Sequence, residues 1–176
     1  MYMPARTAEE RLDVLHGLIE AHPLGALVRP DGDGFTADHL PFELVPASPD
    51  APQGLLRAHV ARANPLWRRD GATVLAIFQG PSGYVSPALQ DLQAIGGRAV
   101  PTWNYAVVHA HGRLRVIDDR EWLLAHMRRA TEHQEGRHGH AWSVDDAPRD
   151  YIDKLVRATV GVEIAIGRLQ GKWKTN

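Results

Sequence analysis

The side chains able to do chemistry are gathered in four short stretches. Val100-Pro101-Thr102-Trp103-Asn104-Tyr105 alternates two short hydrogen-bonding groups, Thr102 and Asn104, with two amphipathic rings, Trp103 and Tyr105. It then runs into the β-branched Val107-Val108-His109-Ala110-His111. Pro101 has a fixed φ and no N–H, which suits a strand entrance. Rings beside small polar groups suit a planar, polar-edged ligand held at a strand end. The same residues also allow a plainer arrangement in which Trp103 packs into a core.

The second stretch is His59-Val60-Ala61-Arg62-Ala63-Asn64-Pro65. It reads as a strand end running into a turn. Turn amides at Ala63 and Asn64 beside a guanidinium at Arg62 make an anion seat, because arginine forks onto phosphate oxygens. Ordinary Asn-Pro turn chemistry with a solvated Arg62 is the alternative. In the third, Phe78 to Pro87, Tyr84 and Ser86 follow a Gly-Pro turn that could lie against a flat ligand, or simply turn the chain. In the fourth, Lys172 and Lys174 flank Trp173, so an extended strand puts both lysines on one face. They could meet a phosphate or solvate a chain end.

Other chemistries find little support. There is no cysteine, hence no disulfide, thiolate metal site or thiol nucleophile. Among the ten histidines, His109 and His111 share a strand face and His133, His138 and His140 cluster in a polar stretch, but none has the spacing of a zinc site. Ser86 lacks the Gly-x-Ser-x-Gly elbow of a serine hydrolase. Gly-x-Gly-x-x-Gly and P-loop patterns are absent. No catalytic residue and no metal site are expected.

The elements that must position these residues follow from pattern. Thr7-Ala8-Glu9-Glu10 reads as a capping box for a helix whose inner face is Leu12, Leu15, Ile19 and His22, ended by Pro23. Leu24–Arg29 and Phe35–Leu40 flank Asp31-Gly32-Asp33-Gly34 as a hairpin. Phe42–Val45 is extended, and Leu55–Val60 and Thr73–Phe78 are strands. Gly80–Gly83 is a turn before a short strand that Pro87 ends. An irregular connection spans 88–99. Tyr105–His111 and Arg113–Ile117 form one long strand or a hairpin with a kink at Gly112. Asp118 or Asp119 caps a helix with the stripe Trp122, Leu123, His126, Met127 and Ala130. Glu132–His140 is a loop. Pro148 opens a helix with Tyr151, Ile152, Leu155 and Val156 inward. Thr159–Leu169 is a last strand before the tail. Seven or eight strands joined mostly by turns favour a mainly β fold, an antiparallel barrel with peripheral helices, as a single domain over 1–176.

The 176 residues include 44% hydrophobic and 23% charged, the balance of a folded globule, and the formal net charge is −1. A DNA-binding domain usually carries a basic excess, so direct nucleic-acid binding is expected to be weak or absent. The start lacks the basic-then-apolar pattern of a signal peptide, and no run is long enough to span a bilayer. A cytoplasmic protein is expected.

Taken together and in order, these blocks resemble the PaiB-type FMN-binding negative transcriptional regulators. The blocks are Met1-Tyr2-Met3-Pro4, Asp38-His39-Leu40-Pro41, His59 to Pro65, Ala76 to Pro81, Tyr84 to Pro87, Val100 to Tyr105, Val108 to Gly112, Val160-Gly161 and Gly171 to Lys174. The resemblance implies an FMN-binding split β-barrel of antiparallel Greek-key type and a homodimer with FMN at the subunit interface. Carried over by position, it implies that His59, Arg62, Ala63 and Asn64 face the phosphate and ribityl chain. Tyr84, Ser86, Thr102, Trp103 and Asn104 would line the isoalloxazine, and Lys172 and Lys174 would add positive charge. This chain departs where relatives place an aromatic pair after Ser-Pro: it reads Pro87-Ala88-Leu89-Gln90. Its tail is also short.

The leading expectation is an FMN-binding regulatory protein without a DNA-binding motif of its own. The alternatives are a flavin-dependent oxidoreductase using NAD(P)H and a dimeric binding module that has lost its flavin.

Overall fold

A computed structural model describes residues 1–89 and 96–175. Eight strands form one antiparallel sheet: β1 (Ala8–Glu9), β2 (Leu24–Asp31), β3 (Gly34–Pro41), β4 (Glu43–Val45), β5 (Leu55–Ala61), β6 (Thr73–Val85), β7 (Thr102–Ile117) and β8 (Thr159–Lys174). Their spatial order is β3-β2-β6-β7-β8-β5-β4, with β1 paired to the far end of β8. Three helices lie outside: α1 (Leu12–Ala21), α2 (Arg120–Arg137) and α3 (Arg149–Arg157).

Period-2 patterning curls this sheet into a split barrel. Leu56, Ala58 and Val60 on β5, Val74, Ala76 and Phe78 on β6, and Val160, Val162 and Ile164 on β8 all point inward and are buried. Fully burying a side chain such as Phe78 is worth about 1.5–3 kcal/mol. α1 contributes Leu15, Leu18 and Ile19 to the same core. β3 and β4 are the sheet's two edges, and the Asn64 side chain donates to Asp38 Oδ1 of β3 at 2.7 Å, tying one edge to the turn that leaves β5.

The hairpin, the strand at 55–61, the kink at Gly112 and the Asp119 cap stand as expected: the register slips between His111 and Gly112, and Asp119 accepts the Trp122 N–H at 2.7 Å. Five expectations are corrected. Thr7 and Glu10 form no capping box: Thr7 donates to Pro4 O, and Glu9 instead receives the Arg11 N–H and guanidinium. Gly80–Gly83 does not turn the chain. β6 continues through it with a register shift between Gln79 and Ser82, where a proline without N–H is tolerated. Glu132–Arg137 is not a loop but the last turns of α2, anchored by Arg137 Nη1 donating to Glu20 O at 2.6 Å. On α3 only Val156 is buried, while Tyr151 and Leu155 are exposed. The tail is no separate piece, since Gly171–Lys174 completes β8. Of the connection expected over 88–99, residues 90–95 lie outside the described residues.

Candidate functional site

One end of the sheet gathers seven of the eleven candidate residues. Trp103 on β7 lies opposite Tyr84 on β6, and Asn104 lies opposite Gly83. The Tyr84 and Trp103 rings meet edge to face at 5.8 Å, yet each is more than half exposed (54% and 56%), an unusual expense of aromatic surface. Thr102 pairs with Val85, which places Ser86 at the same rim, where its Oγ accepts the Ala88 N–H.

β8 brings the lysines to this end. Lys174 lies opposite Tyr105 and Lys172 opposite Val107, so both ammonium groups share the face of Trp103 and Tyr105, as strand alternation requires. Lys174 donates to Trp103 O at 2.6 Å and to the Thr102 hydroxyl. The Lys172 ammonium sits 5.6 Å from the Tyr105 ring and 5.7 Å from the Tyr2 ring, and donates to Tyr2 O at 3.0 Å. Tyr2 belongs to the first block of the resemblance, where no role was assigned to it; the docking of the N-terminal segment beside the end of β8 places it here.

Asn104 lies on the opposite face of β7. Its Oδ1 is buried and has no hydrogen-bond partner, one of four such side-chain atoms among the described residues. A buried acceptor without a partner costs about 1–3 kcal/mol, so it signals a donor that the protein itself does not supply.

The other four candidates lie elsewhere. Arg62 is committed to Asp118, with Nη2 to Oδ1 at 2.6 Å and Nη1 to Oδ2 at 2.9 Å, and it also donates to the carbonyls of Arg157 and Thr159. It is therefore a clamp joining the end of β5 to the starts of α2 and β8. Asn64 caps the following short helix by accepting the Leu66 N–H at 2.9 Å, while Ala63 is exposed. Ala61 pairs with Thr159 at the start of β8, whereas Lys174 ends that strand. The two halves of the candidate set are thus separated by on the order of 50 Å of strand path, at ~3.3 Å per residue. One protomer does not bring them together.

His59 belongs to neither group. It points outward from β5, beneath α2, with its ring 5.3 Å from that of His126. Its Nδ1 is also buried without a partner, and burial, then His126, push its pKa below the usual histidine value. His126 stacks on Trp122 and its Nδ1 is 2.8 Å from Glu43 Oε2. Glu43 also accepts from Arg129 Nε at 2.7 Å. Burial alone would raise the Glu43 carboxyl, but the His126 and Arg129 hydrogen bonds outweigh it and hold the pKa at about 2. This assembly floors a pocket of about 910 Å³ between the β4–β5 outer face and α2–α3. In the sequence, His126 showed only as part of a helix stripe.

A family model described as "Putative FMN-binding domain" matches residues 1–168. An uncharacterized protein of Emericella nidulans, AN0679, is 33% identical over 99% of this chain and 83% of its own length. The Bacillus subtilis protease synthase and sporulation protein PAI 2 is 24% identical over 99% of this chain and 81% of its own. Among solved structures, the FAD and heme binding protein of Mycobacterium smegmatis superposes with a TM-score of 0.71 at 17% identity, covering 97% of this chain and 74% of that one. The flavocytochrome Anf3 of Azotobacter vinelandii gives 0.69 at 14% identity, covering 97% and 71%. The split-barrel fold is common to them.

Proposed function

The chain belongs to the FMN-binding domain family, with FMN as its cofactor, and from that premise we propose that the flavin lies at the Tyr84–Trp103–Lys174 end in a homodimer and that the protein is regulatory. The unpartnered Asn104 Oδ1 is the observation that carries this reading, because an isoalloxazine edge offers the N–H donor it lacks. Tyr84 and Trp103 offer exposed ring surface, and Ser86 and Thr102 offer hydroxyls beside it. Lys172 and Lys174 supply the charge a phosphate needs. Bound FMN would supply redox chemistry, and these residues would bind and orient it.

The far placement of Arg62, Ala63 and Asn64 supports an assembled site, in which the 61–65 turn of a second copy approaches this end. Arg62 contributes there only if a phosphate competes with Asp118; the turn amides of Ala63 and Asn64 carry no such conflict. The outer faces of β2 and β6 present Val28, Leu75 and Ile77, half-buried apolar residues available to a second copy.

A regulatory role without direct DNA contact is favoured by the helix arginines. Three arginines of α2 are already paired, Arg120 with Glu121 and Asp153, Arg128 with Asp145, and Arg129 with Glu43, which lowers their availability to a phosphate backbone. No helix among the described residues is long and apolar enough to cross a membrane.

The test is a visible spectrum of the purified protein after incubation with FMN and desalting, with its mass measured by light scattering. A retained flavin band at dimer mass is expected, and no flavin-dependent NAD(P)H consumption. Loss of the band on desalting would refute the site. Steady NAD(P)H turnover would replace the regulatory role with an oxidoreductase.

A further inference from the structure

The pocket of about 910 Å³ under α2 and α3 lies apart from the lysine end, and its charge is opposite. Its walls are apolar: Leu44 from β4, Met127 from α2, Val144 and Trp142 from the segment between the helices, and Leu155 from α3. Trp142 and Leu155 are 49% and 42% exposed, so the pocket is lined by apolar surface that none of the described residues covers. Four carboxylates, Glu20, Glu43, Glu132 and Glu135, border it against one guanidinium, Arg129. Glu43 is consumed by His126 and Arg129, and Glu135 lies 3.2 Å from His140. Glu20 and Glu132 form no ion pair among the described residues. The floor holds His59, whose Nδ1 lacks a hydrogen-bond partner.

We propose that this pocket is a second binding site, for a small organic cation with an apolar body: an aryl- or alkylamine. Its hydrocarbon part lies against Met127, Trp142 and Leu155, and its ammonium faces Glu20 and Glu132. The volume suits a ligand of this class, since small-molecule sites run from about 300 to 1,000 Å³. A neutral molecule leaves the two rim carboxylates uncompensated. An anion is repelled by them, and FMN, with its phosphate, is excluded for the same reason. The assignment is independent of the flavin reading.

Isothermal titration of the full chain with 2-phenylethylamine, 2-phenylethanol and 3-phenylpropionate at neutral pH tests it, with and without FMN. The amine is expected to bind, the alcohol at least tenfold more weakly, and the carboxylate not at all. E20Q together with E132Q is expected to weaken the amine at least tenfold while leaving the circular dichroism spectrum and the flavin band unchanged. Leu155→Trp, which fills the pocket from an exposed position on α3, is expected to abolish binding in a protein that still folds. Equal affinity for all three probes, an unaffected E20Q/E132Q variant, or no heat from the amine at millimolar concentration would each overturn the proposal. Failure of the flavin reading appears separately, as a missing flavin band.

Discussion

Arg62 and Asp118 face each other as a two-pronged ion pair, with nitrogen–oxygen distances of 2.6 and 2.9 Å, while the same guanidinium closes on the carbonyls of Arg157 and Thr159. Arg62→Ala therefore strips partners from two carbonyls and a carboxylate, whereas Asp118→Ala strips only the pair. Urea unfolding should show the larger fall in midpoint for Arg62→Ala. Asp118→Asn should leave FMN retention equal or improved, because it releases the guanidinium toward an anion. Weaker retention in Asp118→Asn would contradict that account.

Asn104→Leu separates ligand binding from folding. Removing an unpartnered buried oxygen should leave the flavin-free protein as stable as before, or more stable. FMN affinity should fall at least tenfold, as read by fluorescence titration of the flavin. A large loss of stability without loss of flavin would mean that Asn104 serves the fold alone.

Trp122 of α2 lies directly on Gly161 of β8: a Cβ there would come within 2.7 Å of Trp122 Cε3, closer still to the neighbouring ring carbon. Gly161→Ala should lift α2 from the barrel and cost about 1–3 kcal/mol by thermal or urea unfolding. Trp122→Phe combined with Gly161→Ala should recover part of it, because the smaller ring makes room. An additive double variant would argue against the contact.

Glu43 is held at about 2 by His126 and Arg129. A carboxyl whose pKa is depressed in the folded state stabilises fully above its unfolded value, near 4.5, and loses that contribution as pH falls toward 2. Glu43→Gln should flatten the acid limb of stability between these values. At neutral pH it should cost on the order of 1–2 kcal/mol, allowing for solvent screening.

His59 shifts the other way in charge. Its depressed pKa means the folded state resists protonation, so the unfolded chain binds more protons just below pH 6.5 and stability declines there. His109 and His111 are lowered in the same way, so His59→Leu should reduce, and not abolish, that decline in melting temperatures recorded between pH 7.5 and 5.5. An unchanged slope would assign the decline to another histidine.

Much of the barrel was legible in the sequence. The alternation of Leu56, Ala58 and Val60, and of Val74, Ala76 and Phe78, encodes strands with one buried face, and Asp31-Gly32-Asp33-Gly34 encodes a hairpin through local turn chemistry alone. The gathering of Tyr84, Trp103 and Asn104 at one rim was foreshadowed by their side-chain types, and the shared face of Lys172 and Lys174 by strand alternation. Local signals failed where pairing across the sheet decides. The partner strand carries β6 through Gly80-Pro81, and docking on Glu20 O extends α2 past Glu132. Only the tertiary structure decided that Arg62 is spent on Asp118, that Asn104 keeps a buried oxygen without a partner, and that the two halves of the candidate site lie at opposite ends of β8. Residue types state what a side chain can bond. Which partner it meets depends on register and on helix docking, and those are set by contacts between residues distant along the chain.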